Sequence, residues 1–436
     1  MLLNKLVNDQ TERLQNAQYH AWFHHHQCAD GWITVAKKEK NVFKSYHYRP
    51  AELAPELSKW IGEDVYFSQN TFYKPLRRIE HIRQLRSLYV DVDCYLLNYD
   101  TDWVMGKLVH EFFGEIMPEP NLIIFSGRGI VLVWLIEPVP HQALPLWQAI
   151  QNYFCEQLKG IGGDTKALDA ARVFRIAGSI NSKTGTEVVV QYRHDYHYVL
   201  RDLQKEYLPD IPDNPNKKAK GRQKKVVQIY NIHRLYHARL LDLVKLCEIR
   251  NYDMKGYRET TLFLYRYWNC CFLGDPEDAL NQTLSLNSEF KEPLSDKEVT
   301  RATRSAEKAW LLKNDKKADK LAKEKGYPGA GYNLKNETII EWLDITEEEQ
   351  LQLVSVIGNN VKRQRNTAAK REKRRTEGVK PRDEYLEAQQ EKTEDKLLIL
   401  QRAIEENPKV KRKDLANLLS VSIYRVDQLK HLLKSL

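Results

Sequence analysis

A chain of 436 residues exceeds what one ordinary hydrophobic core serves, so two or more domains are expected. Hydrophobic residues at 42% suffice to build cores, yet no apolar run approaches the ~18 to 20 residues of a spanning helix, which argues against an integral membrane protein. The net charge of +9 favours a polyanionic partner, nucleic acid or an anionic membrane surface.

Met1 to Gln10 lacks the basic head, apolar core and cleavage site of a secretory signal, and a cytoplasmic protein is expected. The six cysteines fall at none of the spacings of a zinc knuckle or a disulfide framework. From the start to about Pro212 short strand-like runs alternate with amphipathic helices. Within this part His24-His25-His26, with many tyrosines nearby, prompts the thought of a metal-dependent nickase, although no hydrophobe separates the histidines.

Leu85 to Val90 form an apolar strand that finishes in Asp91-Val92-Asp93. Side chains alternate along a strand, so Asp91 and Asp93 project from one face and repel unless a cation lies between them. Such a pair of hard oxygen ligands suits Mg2+ or Mn2+, though acids at strand ends are also common at plain surfaces. Asn121 to Phe125 and Ile130 to Ile136 read as two buried strands around Ser126-Gly127-Arg128-Gly129. That turn exposes N–H groups, a hydroxyl and a guanidinium, a plausible cradle for a triphosphate or an ordinary glycine hairpin. Asp164 to Lys183 then combines two more acids, Asp164 and Asp169, with Arg172, Arg175 and Lys183, which suit phosphates or a salt-bridged structural turn.

Asp213 to Lys225 has no apolar residue except Ala219 and reads as a solvated basic linker. Leu235, Ala238, Leu241 and Val244 are spaced for one face of a helix in the stretch from Ile229 to about Leu312. Cys270 and Cys271 in that stretch read as buried thiols. More helix follows Gly326-Tyr327-Pro328-Gly329. The basic tract between Val361 and Arg382, with Lys362, Arg363, Arg365, Arg371, Arg374 and Arg375, suits phosphate contacts or a solvated helix face. Thr393 to Leu436 predicts three helical segments. The break at Ser420-Val421-Ser422, with Ser422 as cap and Tyr424 and Arg425 in the next turn, is the layout of a helix-turn-helix or of a simple three-helix cap.

Asp91-x-Asp93, the Ser126-Gly127-x-Gly129 hairpin with Trp134 in the following strand, and Asp169 leading into Arg172-x-x-Arg175-x-x-Gly178-Ser179-x-Asn181-x-Lys183 together resemble the archaeo-eukaryotic primase superfamily. The likeness is to the primase-polymerase domains of plasmid and phage replication proteins. It covers roughly the first half of the chain and implies an α+β fold: an RRM-like antiparallel sheet joined to an N-terminal α/β unit, followed by all-α domains. It also implies nucleoside triphosphates as substrates and Mg2+ or Mn2+ as cofactor, held by Asp91, Asp93 and a third acid. The place of Asp169 directly before Ala170-Ala171-Arg172 favours it over Asp164 as that third ligand. Ser126, Gly127, Arg128, Gly129, Arg172, Arg175, Asn181 and Lys183 would bind the nucleotide. Many members carry a histidine where this sequence has Val131, so Arg128 substitutes for it or catalysis is impaired.

The expected organisation is a catalytic domain over 1–212, a linker over 213–226, a helical domain over 227–325, a helical segment with the basic tract over 326–385 and a helix-turn-helix over 386–436. The expected partners are single-stranded template and duplex origin DNA. No Gly-x-x-x-x-Gly-Lys-(Ser/Thr) occurs, so a separate helicase is implied. A non-catalytic initiator that keeps the primase fold for binding is the alternative.

Overall fold

The computed structural model describes residues 2–39, 42–210, 225–376, 378 and 382–435. It divides into two units, Met1–Gly358 and Asn359–Leu436, a break that falls inside the segment 326–385. Residues 211–224, which include most of the expected linker over 213–226, lie outside the described residues.

The strands of the first unit are β1 (Ile33–Glu39), β2 (Val42–Tyr48), β3 (Val65–Ser68), β4 (Thr71–Phe72), β5 (Ile82–Val92), β6 (Leu122–Phe125), β7 (Ile130–Pro140), β8 (Val173–Arg175), β9 (Ile180–Asn181), β10 (Thr186–Glu187) and β11 (Val189–Tyr192). They form a five-stranded sheet ordered β11-β6-β7-β5-β4, a four-stranded sheet ordered β2-β1-β3-β8 and the short pair β10-β9. Every pairing between these strands is antiparallel. The mixed α and β architecture, sheets first and helices after, is the class expected from the sequence.

β7 is buried on both faces from Ile130 to Ile136, as its unbroken Val/Ile/Leu/Trp run requires. β5 is much longer than its neighbour β4, so its outer edge would carry unpaired backbone groups. The helix Leu144–Leu158 lies along that edge and satisfies three of them, the Ser87 carbonyl and both the N–H and the carbonyl of Tyr89. Trp147 Nε1 donates to the carbonyl of Ser87 at 2.7 Å, and Gln151 Oε1 accepts the Tyr89 N–H at 3.0 Å.

Residues 225–358 are helical and share the core of this unit. The helix Lys225–Ile249 forms where periodicity predicts one, but its buried face differs. Tyr236, Leu240, Leu243, Val244 and Cys247 are buried, whereas Leu235 is 43% exposed. The inward stripe therefore shares only Val244 with the expected set, because a helix this rich in apolar residues carries two candidate stripes. Cys270 is buried and Cys271 partly so.

The second unit contains the helices Asn359–Thr376, Arg382–Glu406, Arg412–Leu418 and Ile423–Ser435. Leu397, Leu400, Leu415, Leu419, Val426 and Leu429 form its core. Ser420 takes a left-handed φ of 49° between the last two helices, and Ser422 Oγ accepts the Arg425 N–H at 3.3 Å. Tyr424 is 74% exposed in the first turn that follows.

Candidate active site

The outer edge of β5 continues past Tyr89 to Asp91 and Asp93, and here the loop after the helix Leu144–Leu158 takes over the pairing. Asp164 donates its N–H to the Asp91 carbonyl at 2.8 Å, and Asp93 donates to the Gly162 carbonyl at 2.8 Å. Gly162 has φ +106°, and a Cβ there would fall 2.9 Å from the Asp93 carbonyl carbon, so the close approach needs glycine. Asp91, Asp93 and Asp164 are thereby brought to one place.

Their electrostatics reflect that crowding. Burial, then Asp93 and Asp164, push the Asp91 carboxyl up to about 7, with Arg172 and Arg175 opposing. Asp93 is raised by burial and then by Asp164, against the pull of Arg128, Tyr95 and Lys183. Asp169 is not among the charges that act most strongly on either acid. Its carboxylate lies 2.9 Å from Arg172 Nε and accepts the Ala171 N–H at 2.9 Å, deep in the protein. Burial pushes Asp169 up to about 6, while Arg172 holds it back.

Among the described residues, no three His, Cys, Asp or Glu side chains already stand in coordinating positions. The donor chemistry nevertheless fits a hard divalent cation. Asp93 and Asp164 raise the proton affinity of Asp91, Asp164 raises that of Asp93, and a cation would relieve that repulsion.

The Ser126–Gly129 hairpin joins β6 and β7 beside these acids. Ser126 Oγ donates to the Gly129 carbonyl at 3.1 Å, and Asn181 Nδ2 holds the Ser126 carbonyl at 2.5 Å. Gly127 has φ +103°, and a Cβ there would overlap the Thr186 hydroxyl; one on Gly129 would lie 2.7 Å from the Val92 carbonyl. The hairpin is thus clamped on both sides. Val131 sits opposite Asp91 across the β5–β7 pair and is 2% exposed.

A cleft of about 1000 Å³ opens here, lined by Asp91, Asp164, Ser126, Val131, Arg172, Arg175 and Lys183 among others. Two of the cations are engaged within the fold. Arg172 also lies 3.7 Å from Asp275, and Arg175 pairs with Asp64 at 2.8 Å above the Tyr66 ring. Asn181 braces the turn by accepting the Lys183 N–H at 3.1 Å.

Several lining residues escape sequence reasoning. Arg77 reaches the cleft and donates to the Ala171 carbonyl at 2.8 Å. Asp275, Glu277 and Asp278 come from the N-terminus of the helix Pro276–Asn287, where Asp275 caps the Glu277 and Asp278 N–H groups. Asp-Pro before an apolar stretch signals that helix start, but nothing local places it opposite Arg172.

His24 and His25 are buried, and their Nε2 atoms bond the carbonyls of Gln69 and Ser68, both at 3.0 Å. Burial pushes His24 down to about 3. His24 and His25 pack the N-terminal helix against the end of β3, while exposed His26 bonds back to the Trp22 carbonyl, so the nickase reading loses the feature that prompted it. In the second unit Lys362, Arg363, Arg371, Arg374 and Arg375 are exposed along the helix Asn359–Thr376, with Arg365 half-buried; Ser422 and Arg425 are exposed too.

No family model matches the sequence. A replication protein of Clostridium perfringens is 45% identical over 333 residues, 76% of this chain and 77% of that protein. Among solved structures, the AEP domain of the cyanophage S-2L primase-polymerase is similar over 44% of this chain and 96% of its own, at 17% identity and a TM-score of 0.33. The catalytic domain of the primase RepB′, solved in complex with initiator DNA, is similar over 44% of this chain and 94% of its own, at 15% identity and a TM-score of 0.30. The chain belongs to the replication-protein family represented by the Clostridium perfringens protein.

Proposed function

We propose that the first unit is a template-directed nucleotidyltransferase, a primase-polymerase of a replication initiator that uses Mg2+ or Mn2+ and nucleoside triphosphates. The observation that carries this reading is the meeting of Asp91, Asp93 and Asp164 beside a cleft that Asp91 and Asp164 line together with Arg172, Arg175 and Lys183. Asp91, Asp93 and Asp164 would hold the cation, with Asp164 in the role the sequence pattern gave to Asp169. The cation, when bound, lowers the pKa of an attacking hydroxyl and offsets charge on the leaving pyrophosphate.

The chain's own residues have distinct tasks in this reading. Lys183, which faces the cleft and acts on Asp93, and Arg128 on the clamped hairpin would meet the triphosphate. Arg172 and Arg175, each held by a carboxylate, keep the wall cationic and fixed in place. Ser126, Gly127, Gly129 and Asn181 fix the hairpin so that its donors need no reorganisation when nucleotide arrives.

Duplex DNA would be gripped by the second unit, through Lys362, Arg363, Arg365, Arg371, Arg374 and Arg375 and through a helix-turn-helix led by Ser422, Tyr424 and Arg425. Its exposed guanidinium-rich helix supports that reading. Strand separation would fall to a separate helicase. A binding-only initiator is the second reading, and Val131 beside Asp91 favours it because valine offers a phosphate no donor. Nucleotide incorporation on a single-stranded template with Mg2+ or Mn2+ separates the two: product supports the transferase, and DNA binding without product supports the initiator.

A further inference from the structure

Arg128 is the guanidinium on the hairpin, and its surroundings differ from those of Arg172 and Arg175 in the cleft. Arg172 and Arg175 rest against carboxylates, whereas the Arg128 guanidinium carbon lies 4.8 Å from the centre of the Tyr95 ring. Tyr95 belongs to the short 3-10 turn Cys94–Leu97 that begins immediately after Asp93. That turn is fixed by backbone bonds: Leu96 donates to Asp93 at 3.0 Å, Tyr99 to Cys94 at 3.1 Å, and Asn98 closes it with a left-handed φ of 56°. A second tie runs in the same direction, because the Cys94 thiol donates to the Arg128 carbonyl at 3.6 Å. The Tyr95 side chain also lies near the Asp93 carboxylate and opposes the rise in its pKa. One partly buried residue therefore touches both the acid end of β5 and the cation of the hairpin.

We propose that Tyr95 is a positioning residue for nucleotide: its ring holds the Arg128 guanidinium over the Asp91–Asp93 strand end, where a triphosphate arrives. A long arginine on a turn loses side-chain freedom on binding a phosphate. A ring beneath it bears part of that loss beforehand, and a π face leaves the guanidinium's in-plane N–H groups free for oxygen atoms. A carboxylate partner would occupy those same N–H groups. The arrangement also gives a physical role to this hairpin in a chain where Val131 stands beside Asp91 and cannot contact phosphate. This inference rests on the nucleotidyltransferase reading and adds a residue that the three motifs do not contain.

The test is a cycle of variants in the full chain: Tyr95→Phe, Tyr95→Leu, Arg128→Ala and Tyr95→Leu/Arg128→Ala. Nucleoside triphosphate binding is titrated under one metal condition, and KM and kcat for incorporation are measured alongside thermal melts. Tyr95→Phe keeps the ring and loses only the hydroxyl near Asp93, so its nucleotide affinity should fall much less than that of Tyr95→Leu. Tyr95→Leu keeps bulk without a π face and should raise Kd and KM by roughly two- to thirtyfold with kcat little changed. In the double variant, affinity should fall no further than in Arg128→Ala alone, because Tyr95 acts through Arg128. Additive losses, or equal losses in Tyr95→Phe and Tyr95→Leu, overturn the positioning role while leaving the transferase reading intact. A wild-type chain that binds no nucleotide overturns both.

Discussion

The Asp164 N–H and the Asp91 carbonyl, 2.8 Å apart, tie the loop before the third motif to the edge of β5 that β4 leaves unpaired. An edge longer than its neighbour must find partners, and the loop that supplies them delivers Asp164 to the acid pair. Asp164→Asn should therefore lower metal-dependent incorporation by about a hundredfold or more, with folding intact, since cation contacts supply several kcal/mol in such reactions. Asp169→Asn should act mainly on stability, by about 1 to 3 kcal/mol, because it removes the nearer of the two carboxylates that hold Arg172 and leaves only Asp275 at 3.7 Å. Melting curves and single-turnover rates distinguish the two. An Asp169→Asn protein of normal stability and no activity, beside an active Asp164→Asn protein, would reverse the assignment.

A pH dependence follows from Asp91. Its carboxyl is raised from 3.8 to about 7, chiefly by burial and then by Asp93 and Asp164. Between those values the folded chain keeps a proton that the unfolded chain has released, so this group's contribution to stability falls as pH rises through that window and stays lost above it. Asp91→Asn should stabilise the metal-free protein at pH 8 by on the order of 2 kcal/mol, after allowance for solvent screening, and by almost nothing at pH 4. Denaturant unfolding with chelator at the two pH values measures this. An equal effect at both would show that the carboxyl titrates normally.

Arg78 couples the sheets to the helices. It is fully buried, its Nε lies 3.2 Å from Glu80, and it pairs with Glu289, while the Tyr265 hydroxyl donates to Glu80 at 2.8 Å. Arg78→Ala would leave two carboxylates facing each other with no cation, at a cost of about 3 to 5 kcal/mol. The expected result is a melt lowered by several degrees, with new proteolytic sites in residues 225–358. A melt unchanged from the wild type would show that packing alone holds the two parts together.

Neutralising Lys362, Arg363, Arg371, Arg374 and Arg375 should flatten the dependence of duplex affinity on salt by about 0.9 in log–log slope for each phosphate that is no longer neutralised. Filter binding or anisotropy across a salt series reads this directly. An unchanged slope returns the helix Asn359–Thr376 to a solvated face.

What the sequence reveals here follows the range of the interactions. The acid pair on one strand face, the hairpin and the Ser422 cap depend on neighbours within a few residues, and alternation or turn chemistry exposes them. The choice between Asp164 and Asp169 does not, because it rests on which backbone groups of β5 remain unpaired once β4 ends. Arg77 and Asp275 reach the cleft only through packing between distant segments. His24 and His25 mislead for a related reason: imidazoles at a helix end look like ligands until Gln69 and Ser68 are seen to hold them. The inward face of Lys225–Ile249 is likewise settled by what it packs on rather than by its own pattern.

The central claim is best tested by primer synthesis from nucleoside triphosphates on a single-stranded DNA template with Mg2+ or Mn2+, comparing the wild type with Asp91→Ala/Asp93→Ala and following duplex binding in the same preparations. The account expects product from the wild type and none from the double variant. Duplex affinity should be nearly equal in the two, since the basic helix belongs to the other unit. Product from the double variant would contradict the acid site, and its absence from a wild-type protein that binds DNA normally would contradict the transferase itself.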